Sequence, residues 1–312
     1  VDEDGEYVLT VNIKKHGNYE KYLVAKINDD KQYEILFPPQ KRFNVTARFQ
    51  VIVTLKAGKN TIKLFNPVTS DADSEMYQYL RMGNALKTAT ARVAKERKEK
   101  EKPIVFSICE WGWGKPYNWG AKAGNLWRTT PDIRPWWWWI KLIYEHNVKL
   151  YKYASKGHYN DPDMLEVGNG KLTYNQNVSH FSLWCMMNSP LILGNDLRTM
   201  SDKVKEIVTN TNLIAINQDS LAKQAKRVKK GTVDVLAKPL ADGSTALCFF
   251  NKSSHGASVK FNLNTLCKDE YVAMKQSSHY TLHNQWAYET LESDGTVKIT
   301  LEKHQTKVYI VK

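Results

Sequence analysis

The sequence predicts an α/β protein. Residues 69–225 read as the C-terminal half of a parallel (β/α)8 barrel, residues 1–68 as a β-rich stretch ahead of it, and residues 226–312 as an antiparallel β domain behind it. Three observations carry this. Apolar residues alternate with period two in the opening and closing stretches. Between them, short apolar runs alternate with segments of helical spacing. Polar residues then collect just after those apolar runs, where parallel barrels carry their chemistry. About four strand–helix units are legible, half of what a closed barrel needs.

The elements follow in order. Tyr7–Ile13, Tyr22–Ile27 and Phe49–Leu55 read as strands, Ala57-Gly-Lys-Asn60 as a turn, and Thr61–Phe65 as a further strand. From about residue 71 the period changes. Met82, Leu86, Ala89 and Val93 recur at helical spacing, and the charged run before Pro103 ends that helix. Ile104–Cys109 reads as a strand, followed by a Gly/Pro/Trp loop, a short strand at Leu126-Trp-Arg128 and a helix from about 136. Ile140, Ile143, Tyr144, Val148 and Tyr151 line one face of that helix. Met164–Val167 and Leu191–Leu193 read as strands, 174–188 as a helix, and Ser201 as the N-cap of another. Val233–Ala237 and Thr245–Phe250 flank the turn Ala241-Asp-Gly-Ser244, and Val259–Phe261, Val297–Leu301 and Thr306–Val311 complete the last domain.

Composition narrows the function. A chain of 312 residues is long enough for two domains and a sizeable core. The net charge of +13 is compatible with acidic glycans or nucleic acid, but a Lys-rich solvated surface is the better account of it. The run Lys95–Lys102 is partly self-neutralising. The more one-sided run Lys223–Lys230 has no nucleic-acid motif beside it, so no nucleic-acid partner is expected. Cys109, Cys185, Cys248 and Cys267 show no metal-ligand spacing, and neither metal nor cofactor is expected. Cys109 and Cys185 lie in apolar segments and read as buried thiols, while pairing of Cys248 with Cys267 is left open. No run of about 20 apolar residues marks a membrane span, and no signal peptide is seen. Asn44, Asn177 and Asn251 begin glycosylation triplets, which matter only in a glycosylating host.

The chemistry concentrates in two stretches, Phe106-Ser-Ile-Cys-Glu-Trp-Gly-Trp113 and Asn125-Leu-Trp-Arg-Thr-Thr-Pro-Asp-Ile133. The first offers Glu110 between aromatics. The second offers Arg128 and Asp132, four residues apart. A carboxylic acid, a guanidinium to orient hydroxyls and flat rings to stack on a sugar suit glycoside chemistry. Other roles compete: Asp132 as a helix cap, Arg128 as a structural ion pair, Asp161 and Asp163 as Asx-Pro turn formers. Trp136–Trp139 span one helical turn, some packing inward and some exposed.

These motifs resemble glycoside hydrolase family 27, the retaining α-galactosidases. Phe106–Trp113 resembles the family's strand 5, Trp127–Ile133 strand 6, Asn160–Leu165 strand 7, Pro190–Leu197 strand 8, and Ile214–Asp219 the final helix. The likeness covers about three quarters of the chain. Separately, Gly5-Glu-Tyr7 and Leu55-Lys-Ala-Gly-Lys-Asn-Thr-Ile62 resemble the second half of a β-sandwich carbohydrate-binding module.

The resemblance implies that Asp132 is the general acid/base, that Arg128 contacts sugar hydroxyls, and that Glu110 and Trp113 sit where the 2-substituent is read. Members acting on N-acetylgalactosamine carry small residues there, so Glu110 and Trp113 imply galactose. It also implies an exo-acting enzyme that releases terminal α-linked galactose by double displacement, with the carboxylates about 5–6 Å apart. The family's nucleophile, an aspartate in a Lys-x-Asp context ending strand 4, and its acidic pair ending strand 2 have no counterpart in this sequence. A second polypeptide carrying strands 1–4 is therefore expected, since half a barrel exposes an apolar parallel edge. An extracellular, periplasmic or lysosomal setting fits the family. The rivals are α-N-acetylgalactosaminidase or β-L-arabinopyranosidase action on the same scaffold, and a non-catalytic carbohydrate-binding protein.

Overall fold

The computed structural model describes residues 1–15, 21–29, 31–37, 45–66 and 71–312. The chain divides into two units, Val1–Ser74 and Glu75–Lys312.

The first unit is all β. Strand β1 (Gly5–Lys15) pairs antiparallel along its whole length with β4 (Val45–Leu55). Strands β2 (Lys21–Ile27), β3 (Lys31–Phe37) and β5 (Ile62–Phe65) form a second sheet in the order β3-β2-β5. Alternation turns Val11 and Val53 of the first sheet, and Ala25, Ile27, Ile35 and Phe37 of the second, into two small cores. The turn after β4 is pinned by Asn60. Its Oδ1 accepts from the Lys56 N–H at 3.0 Å and from Asn28 Nδ2 at 2.8 Å, while its Nδ2 donates to the Lys56 carbonyl. β3 was not foreseen. Asn44 lies outside the described residues.

Helix α1 (Asp71–Arg97) begins before Glu75 and continues into the second unit. Its packed residues are Met76, Tyr79 and Leu80, with Gly83 against the Ala123 carbonyl. Met82 and Ala89, expected on the inner face, are exposed. Strands β6 (Ser107–Ile108), β7 (Leu126–Arg128) and β8 (Tyr159–Asp161) form a parallel sheet in that order, with the short α2 (Gly120–Ala123) between the first two. α3 (Trp137–Asn147) connects β7 to β8, and α4 (Tyr174–Met186) follows β8. A parallel bridge between Leu165 and Leu193 marks the fourth barrel position. The expected strands Met164–Val167 and Leu191–Leu193 reduce to that bridge, and Ile104–Cys109 reduces to two residues. The paired strand of the third unit is Tyr159–Asp161, five residues earlier than the apolar run suggested.

The α4 N-terminus is a capping box: Thr173 accepts from the Gln176 N–H, and the Gln176 side chain accepts from the Thr173 N–H. Ser201 caps α5 (Asp202–Val208), and α6 (Thr211–Asn217) closes the barrel portion.

The C-terminal domain contains β9 (Lys226–Lys229), β10 (Val233–Pro239), β11 (Thr245–Asn251), β12 (Ala257–Asn262), α7 (Asn264–Cys267), β13 (Tyr280–Asn284), β14 (Thr290–Ser293), β15 (Thr296–Leu301) and β16 (Thr306–Val311). Six of these strands form one antiparallel sheet, β14-β13-β16-β11-β10-β9, and β12 pairs with β15. Both faces of the large sheet are covered. Val235, Leu247 and Phe249 pack towards β12 and β15, while Leu236, Cys248 and Phe250 pack against α3 and α4. This is why β11 is buried along its whole length and β10 up to Lys238, with Asp234 and Lys238 among the buried residues. Buried Asp234 ties the layers together, accepting from Tyr144 at 2.8 Å and pairing with Arg227 at 2.9 Å and Lys252 at 3.0 Å. All four cysteines are free. Asn177 and Asn251 are buried and hydrogen-bonded, so the fold withholds both from glycosylation.

Candidate functional site

The site assembles where β6, β7 and β8 end. Ile108 packs against Trp119, Ala123 and Trp127 in the helix layer. Strand alternation therefore turns Cys109 to the opposite face, and its thiol is exposed rather than buried as expected. Partial burial pushes that thiol up, and the charges of Arg128, Asp132, Asp161 and Asp163 act on it.

Glu110 begins the next loop. Its carboxyl lies beside that of Glu75, in the α1 region, and near Tyr79 one turn along. Burial, and then the adjacent Glu75 carboxylate, push Glu110 up to about 7, opposed in part by Tyr79. The Tyr79 hydroxyl donates to the Cys109 carbonyl at 3.2 Å. The loop then crosses the end of β7 at Gly112, whose φ is +82° and whose Cβ, if it had one, would lie 2.2 Å from the Thr129 carbonyl oxygen. Only glycine allows so close a crossing. Trp113, beyond it, is 79% exposed.

β7 alternates in the same way. Trp127 turns into the helix layer and donates from Nε1 to Asn160 Oδ1 at 2.8 Å. Asn160 in turn donates to the Leu150 carbonyl and to Gln224 Oε1, which satisfies a fully buried amide. Arg128 turns to the other face and is almost entirely buried. Its Nη2 lies 2.7 Å from Asp163 Oδ2, 3.2 Å from Asp132 Oδ1 and 3.2 Å from the Thr130 carbonyl. Asp163 is fixed by its own surroundings: Oδ2 accepts from the Ile133 N–H and Oδ1 from the Met164 N–H, both at 2.8 Å. Asp161 Oδ1 accepts from the Asp163 N–H at 2.8 Å, and burial pushes the Asp161 carboxyl up.

Asp132 does not cap α3; the residue at that position is Trp136. The Asp132 side chain is 54% exposed and held on one side by Arg128, and its carbonyl accepts from Trp139 Nε1 at 2.8 Å. The structure thus joins Arg128 to Asp132 directly, sets Glu110 in its own acidic pair with Glu75, and leaves Trp113 largely open to solvent. Sequence reading took Asp163 as structural and passed over Glu75 and Tyr79. Asp163 is structural and also the tighter of the two partners of Arg128. Glu75 carries no motif, so no sequence signal pointed to it. Among the described residues no cluster of His, Cys, Asp or Glu suits a metal ion, and no helix is long and apolar enough to cross a membrane.

Parallel strands alternating with helices, polar groups gathered at the strand C-termini and an antiparallel β domain behind them define part of a (β/α)8-type enzyme barrel with an appended β domain. The model of the family described as Alpha galactosidase A matches residues 58–219, and that of the Alpha galactosidase C-terminal beta sandwich domain matches 230–311. The chain belongs to glycoside hydrolase family 27, the α-galactosidase family. It is 35% identical over 239 residues to an alpha-galactosidase of Oryza sativa subsp. japonica, a match covering 76% of this chain and 53% of that one. It is 38% identical over 221 residues to Alpha-galactosidase A of Cellvibrio japonicus, covering 65% and 54%. A solved Bacteroides fragilis structure with an alpha-galactosidase designation superposes with a TM-score of 0.68 at 37% identity, covering 79% of this chain and 53% of that one. Alpha-galactosidase I of Mortierella vinacea, at 24% identity and a TM-score of 0.69, shares the fold, covering 78% and 64%. The chain spans about half the length of the curated relatives it matches. No comparison bears on the carbohydrate-binding likeness of the first unit.

Proposed function

We propose that this chain supplies the acid/base half of an α-galactosidase site, in which Asp132 protonates the leaving oxygen and then activates water. The observation that carries the reading is the linked set Asp163–Arg128–Asp132 at the C-terminal end of β7. A half-exposed carboxylate is oriented by a buried guanidinium, which a second, inward-turned carboxylate holds. Arg128, whose Nε is buried, then offers N–H groups of its terminal nitrogens to sugar hydroxyls, and Glu110 and Trp113 bound the space at the 2-position. Glu110 near neutrality is poised to donate to or accept from a hydroxyl. Galactose carries a hydroxyl at that position, which favours it over an acetamido sugar.

In this reading the nucleophile comes from barrel strands outside these 312 residues, on the same polypeptide or on a second one. Ile104 and Val105 at the β6 side, and Ile192 and Leu193 at the far side, are exposed, as expected of apolar edges that further strands cover. The action is retaining and exo, on terminal α-linked galactose.

The test uses the full protein. Asp132→Ala is expected to lower kcat for galactosides with poor leaving groups by about 10³-fold, and azide is expected to restore turnover of galactosides with activated leaving groups, where breakdown of the galactosyl-enzyme is limiting, by forming α-galactosyl azide. Unchanged turnover in that variant, or a product of inverted anomeric configuration, would refute the assignment. Denaturing intact-mass analysis of the native preparation checks the second half of the reading. Active protein consisting only of a 35.9 kDa species would remove the need for further strands.

A further inference from the structure

Four consecutive tryptophans, Trp136–Trp139, open α3, and the fold sorts them into two pairs. Trp137 packs edge-on against Phe250, at 5.9 Å and 89°, and lies 5.2 Å from the His304 ring, so it belongs to the core. Trp139 is half-buried and donates to the Asp132 carbonyl. Trp136 and Trp138 are 53% and 57% exposed, with ring centroids 5.9 Å apart and planes only 17° from parallel. A regular helix would set residues two apart on opposite faces. Trp136 escapes that rule because it is the N-cap, with φ −116° and ψ 123°, so the step to Trp138 begins strand-like and brings both rings to one side.

The pair is continuous with the candidate acid/base. Trp138 meets Trp139 edge-on at 5.2 Å and 72°, and the Trp139 indole holds the Asp132 backbone. A row of aromatic rings thus runs from Asp132 outwards over the start of α3, on the barrel face where the strands end. Exposed Arg134 lies in the segment between Asp132 and Trp136. Two flat, nearly parallel, half-exposed indoles, stacked on one another, are suited to the C–H faces of pyranose rings. A general acid hands its proton to the leaving oxygen, so the leaving group passes beside it.

We propose that Trp136 and Trp138 form a stacking platform for the sugar units on the leaving-group side of the scissile bond. The preferred substrate is then an α-galactosyl residue borne on a polysaccharide or long oligosaccharide rather than on a short one. The placement on the leaving-group side rests on the acid/base reading of Asp132; the sugar-stacking role itself does not.

The probe is soluble galactomannan cast into native gels, with the full protein as the migrating species. Retardation is expected for the native protein, with Trp138→Ala weakening the apparent affinity about tenfold and Trp138→Phe restoring most of it. Trp138 lies inside the helix, where alanine is a good former, so this variant keeps the Trp136 cap; circular dichroism and melting confirm its fold. Asp132→Asn is expected to be retarded like the native protein, and excess free galactose is expected to leave retardation in place. Absence of retardation, equal retardation of Trp138→Ala, or abolition by galactose would overturn the platform. So would Trp138-dependent binding to phosphatidylcholine vesicles, or Trp138-dependent self-association in sedimentation, since either assigns the rings to another partner. Trp138-dependent retardation by a full protein that releases no galactose would sink the hydrolase reading and leave the stacking role standing.

Discussion

Asp163→Asn probes the arrangement on which the site depends. Asp163 occupies a left-handed backbone position, φ +82°, which asparagine tolerates nearly as well as aspartate. The substitution therefore leaves the turn intact and removes only the charge and one acceptor. Oδ1 can still accept from the Met164 N–H. The other carboxylate oxygen becomes an NH2 facing two donors, the Ile133 N–H at 2.8 Å and Arg128 Nη2 at 2.7 Å. The Arg128 and Asp163 side chains are 11% and 13% exposed, so water does little to replace the lost partner. A charge-assisted hydrogen bond contributes about 1.5–3 kcal/mol and an unpaired backbone donor costs about 1 kcal/mol more, which sums to roughly 3 kcal/mol. Asp132 keeps Arg128 from being wholly orphaned, which sets the figure at the lower end for a broken buried pair. At about 2–4 °C per kcal/mol, the barrel unit should melt about 6–12 °C lower. Urea and thermal unfolding of the full protein measure this, alongside kcat on p-nitrophenyl α-galactoside, expected to fall at least tenfold as Arg128 swings towards Asp132. A destabilisation under 1 kcal/mol would show that the pair behaves like a surface ion pair, and the account of Arg128 as a fixed orienting group would fail.

Other expectations concern groups around the site. Gly112→Ala sets a Cβ against backbone that cannot move aside, and about 3 kcal/mol of destabilisation or a displaced loop is expected in urea unfolding. Gly157→Ala, also at positive φ but with open space around the Cβ, should cost only about 1 kcal/mol; equal costs would refute the steric argument. Glu75→Gln removes the like charge beside Glu110, so the carboxyl titration of Glu110, followed by NMR, should move down from about 7; an unmoved midpoint would show that burial alone sets it. Buried His180, pushed down to about 3 by desolvation, accepts from the Glu166 N–H. The unfolded chain binds this proton below about 6.5 and the folded chain does not until about 3, so stability falls as pH drops through that window. The loss from this residue is on the order of 5 kcal/mol, and His180→Gln should flatten the acid limb of the stability curve by that amount; parallel curves would refute it.

Legibility in the sequence tracked how local the determining forces are. The Ser201 cap, the α3 face through Ile140, Ile143 and Tyr144, and strands β10, β11, β12, β15 and β16 are set by near neighbours or by burial on a regular period, and they were readable, whereas β9, β13 and β14 were not foreseen. β8 was missed because it is held by polar groups: Asn160 is fully buried, and its bonds to Trp127 and Gln224 come from 33 and 64 residues away. The inner face of α1 was misplaced because the contact that fixes it is a glycine, Gly83, lying on the Ala123 backbone, and a hydrophobic pattern cannot register a glycine. Arg128 and Asp132 stood out through their spacing. Glu75 did not, since only the folded chain brings α1 against the loop after β6.

The two kinds of exposed apolar surface on the second unit call for different explanations, and their chemistry separates them. Ile104, Val105, Ile192 and Leu193 are aliphatic and lie beside strands whose backbone hydrogen bonding is one-sided or reduced to a bridge. Residues with those properties are completed by more sheet, because an uncovered parallel edge leaves backbone donors and acceptors as well as apolar side chains unsatisfied. Trp136 and Trp138 lie on a helix start whose backbone is already in order, and they are aromatic and nearly parallel. They have no ladder to extend. Strand addition satisfies the first surface and ring stacking the second, so the two should respond to different perturbations. Supplying the further barrel strands proposed above should protect Ile104–Ile108 amides from hydrogen exchange and leave Trp138 fluorescence unchanged. Galactomannan should do the reverse. If both ligands altered both signals, the separation between a folding edge and a binding face would be wrong.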